Sequence, residues 1–289
     1  MPGSGNLGLT SGWSYPKGEG TWNGYFYPAG EKIDELTYYS RFFNTVEINS
    51  TFYRPPDART AQSWANRVPE GFLFTVKLWQ KFTHPKMFEQ ATGDVAAVSH
   101  DDVVLFLRGI EPLAKEGKLG AILAQFLPSF TNTEYGKGIL HALAAHFGDY
   151  RLAVELRHKS WSDDPGTAKL LQENRTAWVQ IDEPKFSFSV AEDIPQTSDL
   201  AYFRFHGRNK EMWWKGDVES RYCYLYSPEE IKELSERVNK AAAKSSVSFV
   251  FFNNHWRAYA PRNAVDMMKA LGHSANEVPL FTLPQADVE

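Results

Sequence analysis

The stretch LAVELRHKSWSDDPGTAKLLQENRTAWVQID, residues 152–182, holds the fold in miniature. Leu152 to Arg157 is a short apolar run of strand length, Gly166 to Glu173 carries helical spacing, and Trp178 to Asp182 reads as a strand again. Two strands joined through a helix run parallel, with a right-handed crossover. The unit repeats in both directions. Upstream, strands are expected at Leu7 to Trp13, Val46 to Asn49, Phe72 to Lys77 and Ala121 to Gln125; downstream, at Ala201 to His206 and Ser248 to Asn253. Further helices are expected at Glu31 to Arg41, Ala58 to Asn66, His100 to Glu116, Gly136 to His146, Pro228 to Lys244 and Pro261 to Leu271. Ser227-Pro228-Glu229-Glu230 supplies a cap, an N1 proline and first-turn acids. Glu183 to Asp199 lacks a helical period and is expected to be irregular. Eight strands alternating with helices predict an α/β protein, a single (β/α)8 TIM barrel over residues 1–289. The rival, a doubly wound open sheet, is disfavoured because no Gly-rich phosphate loop follows the first strand.

Bulk composition agrees. The chain has 289 residues, 43% of them hydrophobic, enough for one barrel core. A net charge of −4 does not advertise nucleic acid, although a local basic patch is compatible with it. Apolar runs are short and interrupted by charges, so no membrane span is expected. MPGSGNLGLT lacks the basic and apolar regions of a secretory signal. The single cysteine, Cys223, allows no internal disulfide, and a cytoplasmic location is expected.

The connections locate the working end. Helix-to-strand links are short, whereas Ser14 to Gly30, Trp79 to Ser99 and Gly207 to Ser227 are long strand-to-helix loops. In a barrel those loops form the C-terminal face, where active sites are built. Strand alternation then sorts the side chains. With Val46, Ile48, Phe74, Val76, Phe203 and Phe205 facing the helices, Glu47, Asn49, Lys77, Gln125, Glu155, Arg157, Asp182, Arg204, His206 and Asn253 point inward, with Asn254 beside them. Burying such groups is costly unless they pair or bind something. A purely structural arrangement would pair Glu47 with Lys77 and Glu155 with Arg204. Aromatic residues crowd the loops above: Trp13, Tyr15, Trp22, Tyr25, Phe26 and Tyr27, then Trp213, Trp214, Tyr222, Tyr224 and Tyr226. They suit stacking on sugars or bases, or packing as a lid floor.

SGWSY with TWNGYFYP, then VEINSTFYRPP, VKLWQKFTH, QFLPSF, VELRHKSW, FRFHGR and FFNNHWRAYAPRNA resemble the YecE-like family, domain of unknown function 72, over residues 7 to 271. The resemblance implies a TIM barrel and no established activity. It implies motif positions at Gly12, Trp13, Tyr15, Glu47, Asn49, Phe52, Tyr53, Lys77, His84, Gln125, Glu155, Arg157, Trp161, Arg204, His206, Gly207, Asn253 and Asn254. Ala258 departs from the pattern, which would place glycine there.

Three functions follow as expectations. The first is a hydrolase on a sugar- or phosphate-containing substrate, with Glu47 and Glu155 as acid/base or nucleophile pair and His206 beside them. Trp13, Tyr15, Asn49, Tyr53, Lys77, Gln125, Arg157, Asp182, Arg204, Asn253 and Asn254 would bind substrate. The second is a metal-dependent phosphodiester or nucleic-acid processing enzyme with Glu47, Glu155, Asp182 and His206 as ligands. The third is a non-catalytic module for a nucleotide, anion or carbohydrate. No cofactor is evident; a divalent metal is the one addition the carboxylates would allow.

Overall fold

The structure, a computed structural model, describes residues 10–216 and 218–274. β1 (Thr45–Ile48), β2 (Leu73–Lys77), β3 (Leu119–Gln125), β4 (Leu152–Glu155) and β5 (Ala177–Trp178) pair in parallel in that order, as do β6 (Gln180–Asp182), β7 (Leu200–Phe205) and β8 (Val247–Phe252). Two seams close these groups into an eight-stranded barrel. At one, only Val179 separates β5 from β6, and its N–H donates to the Val154 carbonyl at 2.9 Å. Residues 177–182 are therefore one barrel strand, bonded first to β4 and then to β7. At the other, Thr10 bridges Phe252 and Ser11 bridges Glu47, both in parallel. The Ser11 N–H donates to Phe252 and the Glu47 N–H to Thr10. The expected first strand is this closing piece; Leu7 to Leu9 lie outside the described residues.

Helices cover the outside. Ala58–Asn66 and Gly166–Glu173 fall where the apolar spacing puts them, and His100–Lys115, Glu134–Phe147, Pro228–Ala242 and Tyr259–Ala270 nearly so. Ser99 with Asp102 and Ser227 with Glu230 form reciprocal capping boxes. Each cap contributes about 1 kcal/mol to fixing a helix start. The first helix is shorter than expected, Glu35–Tyr39, because the Asp34 carboxylate takes the Leu36 and Thr37 N–H groups and starts it there. Glu183 to Asp199 carries no helix or strand. The loop from Trp79 to Ser99 is more ordered than its sequence suggested and contains Gln80–Thr83 and Pro85–Thr92 as helices.

Register decides which side chains enter the barrel, since laterally paired residues share a face. Glu47 pairs with Thr75, Thr75 with Ala121, Lys77 with Leu123, and Gln125 with Glu155. Tyr202 pairs with Phe249 and Arg204 with Phe251. The rings of Phe249, Phe251 and Tyr202 fill the barrel floor. Gly120 accommodates them at the β2–β3 register shift, where an added Cβ would lie 2.7 Å from the Phe249 ring. Among the described residues no helix is long and apolar enough to cross a membrane.

One strand has the opposite phase to that expected. Ala177 pairs with Ala153 and Ile181 with Arg204, so Ala177, Val179 and Ile181 face inward, while Gln180 and Asp182 face the helices. Size accounts for this: the Trp178 indole fits the helix layer better than the crowded lumen, and its neighbours follow by alternation. Asp182 is buried outside the barrel wall, accepting hydrogen bonds from Arg208 and from the Tyr226 hydroxyl.

Candidate functional site

Above the aromatic floor lies a layer of charge. Glu47 from β1, Arg204 from β7 and Glu155 from β4 are all essentially inaccessible to solvent. The Arg204 guanidinium grips Glu47 with two donors, Nε to Oε2 at 3.0 Å and Nη2 to Oε1 at 2.7 Å. Its Nη1 reaches Glu155 Oε2 at 2.5 Å and Gln125 Oε1 at 3.3 Å. The Tyr202 hydroxyl donates to Glu47 Oε2 at 2.7 Å and shares a hydrogen bond with Thr75. The other Glu155 oxygen takes Arg157 Nε at 2.6 Å. Glu155 is charged well below the ordinary carboxylate range: burial opposes ionisation, and the Arg157 and Arg204 charges overcome it. Arg204 thus pairs with both carboxylates. The expected Glu155–Arg204 pair is present; the expected Glu47–Lys77 pair is not, because Glu47 is engaged by Arg204 and Tyr202.

A second layer stands at the mouth. Arg157 Nη1 lies 3.2 Å from Glu183, a buried carboxyl pushed up by burial. Arg157 Nη2 lies 3.2 Å from His206 Nε2, and the Asn253 side-chain amide lies 3.0 Å from His206 Nδ1. The Glu155 carboxylate also stands 3.5 Å from His206 Nε2, so this nitrogen sits between a donor and an acceptor, while the Asn253 amide Nδ2 faces Nδ1. Burial pushes His206 down to about 4 and keeps it neutral. Lys77, half-buried at the end of β2, has its Nζ 4.2 Å from the Phe52 ring. It makes no hydrogen bond or ion pair with the described residues. Burial, reinforced by the Arg204 charge, holds its ammonium down to about 7. Asn49, just past β1, keeps a buried Oδ1 with no donor.

Tyr15, stacked on His255 at 4.7 Å, and Tyr222, 5.2 Å from the same ring, cover the mouth together with Trp213 above His206. Tyr53 stands at the rim, 70% exposed. Of the other loop aromatics, Trp22, Phe26 and Tyr27 are buried in the core, with the Trp22 Nε1 donating to the His255 carbonyl, whereas Trp214 is exposed beside Phe186 and Phe188.

The structure therefore brings together Glu47, Lys77, Gln125, Glu155, Arg157, Arg204, His206 and Asn253, with Asn49, Tyr15 and Tyr53 around them. Three expected members lie elsewhere. Asp182 faces the helices, as described. Asn254 follows Asn253 on the opposite face and donates to the Tyr224 carbonyl and to Asn263 of the last helix. Trp13 packs edge-on against Trp64 and Phe74 in the helix layer. Sequence reasoning missed Glu183, which correct phasing of Ala177, Val179 and Ile181 would have found. It also missed Tyr202 and His255, and named His84 only as a motif position. His84 is buried against Phe52 and pushed down to about 4 by burial. Among the described residues no three His, Cys, Asp or Glu side chains converge as metal ligands. Glu47, Glu155 and Asp182, offered as ligands by the sequence, are held by guanidinium groups.

The family model described as "Protein of unknown function DUF72" matches residues 7–287, almost the whole chain and beyond the limit of residue 271 drawn from the motifs. The chain belongs to the DUF72 family. This DUF72 protein is 28% identical over 276 residues to the UPF0759 protein YunF of Bacillus subtilis, covering 92% of the chain and 94% of that relative. It is 30% identical over 128 residues to the UPF0759 protein YecE of Escherichia coli K12, covering 44% of the chain and 42% of YecE. Its fold matches the crystal structure of a DUF72 family protein from Enterococcus faecalis V583 with a TM-score of 0.79 at 30% identity, over 98% of this chain and 99% of that one. A DUF72 family protein from Thermotoga maritima MSB8 matches with a TM-score of 0.78 at 36% identity, over 93% and 99%. Ala258, the departure from the motif, sits at φ 61°, ψ 26° after Arg257 at φ 42°. This left-handed backbone is the kind that glycine adopts without cost, and a Cβ there costs roughly 1 kcal/mol.

Proposed function

We propose that the barrel mouth is the site of an enzyme acting on a small polyhydroxylated, sugar-type substrate, and that Lys77 meets it. The observation carrying this reading is the Lys77 amine, which has no hydrogen-bond or ion-pair partner among the described residues although charged side chains surround it. The buried Asn49 Oδ1 nearby is an acceptor suited to a hydroxyl, and Tyr15, His255 and Tyr222 form an aromatic cover suited to a sugar face. Charge balance favours a sugar over a phosphate. Glu47, Glu155 and Glu183 already engage Arg157 and Arg204, and Lys185 lies between Glu183 and Glu192, so these described cations are balanced before a phosphate arrives.

Hydrolysis through a Glu47–Glu155 pair finds no support here. A glycosidase keeps a gap of about 5–9.5 Å open between its carboxyls for substrate or water, whereas Arg204 occupies the space between these two. The Arg157 and Arg204 charges also hold Glu155 well below the ordinary carboxylate range, which suits it poorly to carrying a proton. A metal-dependent reaction finds no converging ligand set among the described residues, and the net charge gives no support to nucleic acid.

A calorimetric titration with millimolar aldoses, polyols and sugar phosphates tests the proposal on the wild-type chain and on Lys77→Met. Saturable binding of a sugar or polyol that Lys77→Met abolishes is the expected result. Binding of phosphates alone, or sugar binding indifferent to Lys77, overturns it. A bound sugar recovered unchanged after long incubation would leave a binding module instead of an enzyme.

A further inference from the structure

We infer that Lys77 is a nucleophile toward the carbonyl carbon of an open-chain hydroxyaldehyde or hydroxyketone, and that it holds such a compound as an imine. The inference rests on the sugar-site reading above and extends it by naming the reactive form of the ligand. A lysine amine inside a protein is ordinarily engaged in an ion pair, a hydrogen bond or full hydration. Lys77 makes neither of the first two with the described residues. The Glu47 oxygens are taken by Tyr202 and Arg204, and those of Glu155 by Arg157 and Arg204. The Phe52 face at 4.2 Å is what remains, and a cation–π contact is weaker than the hydration an ammonium gives up on burial. A large share of the amine, with its lone pair free, is thereby neutral near pH 7, in keeping with the downward shift of this group. The side chain is half-buried, so a small molecule reaches it from the mouth.

Other lysines serve as contrasts within the same chain. Lys81 pairs with Asp102 at 2.9 Å, and Lys118 donates to the Ala65 and Val68 carbonyls. Lys115, Lys169 and Lys240 have strongly exposed side chains. The chemistry balances without a co-reactant. The amine nitrogen bonds to the carbonyl carbon, the carbonyl oxygen departs as water with both amine hydrogens, and a C=N bond remains.

The test uses the full wild-type chain at neutral pH. It is exposed briefly to glycolaldehyde or D-glyceraldehyde with borohydride, then digested for peptide mass spectrometry. Hydride reduces the imine to a stable secondary amine, so the labelled lysine gains the mass of the aldehyde less one oxygen. The expected result is labelling of Lys77 about a hundredfold or more faster than of Lys115, Lys169 and Lys240, since an ordinary lysine is almost wholly protonated at that pH. Labelling of Lys77 no faster than of those three overturns the inference. A parallel calorimetric titration with xylitol, which has no carbonyl, separates the two failures. Xylitol binding without Lys77 labelling sinks the imine and leaves the sugar site standing; no binding and no labelling sinks both.

Discussion

Arg204 and Lys77 are both cations carried into the same barrel by neighbouring layers of side chains, and their circumstances are opposite. Arg204 directs its donors onto Glu47, Glu155 and Gln125 and lies beyond the reach of solvent. Lys77 is partly open to the mouth and directs no hydrogen bond at any described residue. A guanidinium presents a planar fork of five donors and can bridge two carboxylates at once, whereas an ammonium is a point charge that loses the competition for them. Arg204 therefore fixes the architecture, and Lys77 is left over as the reactive group. Burial and charge alone do not mark a functional residue; an unmet valence does.

The largest effect that would break this contrast belongs to Arg204. Arg204→Met strands two carboxylates in the lumen, and unfolding in urea should show a loss of about 3–5 kcal/mol. A loss under 1 kcal/mol would mean the charged layer is not structural. Next comes pH. His206 is held down to about 4, below its ordinary value of 6.5, so the folded state binds fewer protons than the unfolded chain between those values. The stability that depends on its neutral form is present above about pH 6.5 and is lost as pH falls toward 4, at up to about 1.4 kcal/mol per pH unit. Glu155, also depressed, adds its loss only below about 4.5. His84 and His255, also held down to about 4, add to the same window, and stability that is flat from pH 7 to 5 would show that these histidines take up protons as readily in the fold as in the unfolded chain. Asp182→Asn should cost about 1–2 kcal/mol through weakened contacts to Arg208 and Tyr226, while leaving sugar binding at the mouth unaltered. Weakened binding would show that the outer charge cluster belongs to the site after all. The smallest effect on stability is expected of Lys77→Met. Removing a half-buried amine that forms no ion pair or hydrogen bond with the described residues should leave the fold as stable or up to about 1 kcal/mol more so, with sugar binding lost. A large destabilisation would make Lys77 a structural residue like Arg204.

Much of this was legible in the chain. The alternation of short apolar runs with capped helices states the barrel, and period-two phasing in β1, β2, β3, β4 and β7 placed Glu47, Lys77, Gln125, Glu155 and Arg204 inside. It failed where the pattern was ambiguous. Residues 177–182 hold polar groups on one face and apolar groups on the other, and Asp182 was assigned inward on its charge, although Trp178 shares its face and is the more decisive residue. Asn254 was carried along by its neighbour although a one-residue step reverses the face.

The sequence by itself determined the fold, the family and the faces of most strands, because these follow from local periodicity repeated along one chain. Only the tertiary structure decided who pairs with whom: Arg204 meets Glu47 across 157 residues, and that pairing leaves Lys77 without a carboxylate. Such pairings depend on distances of a few ångströms between groups whose separation along the chain carries no record of them.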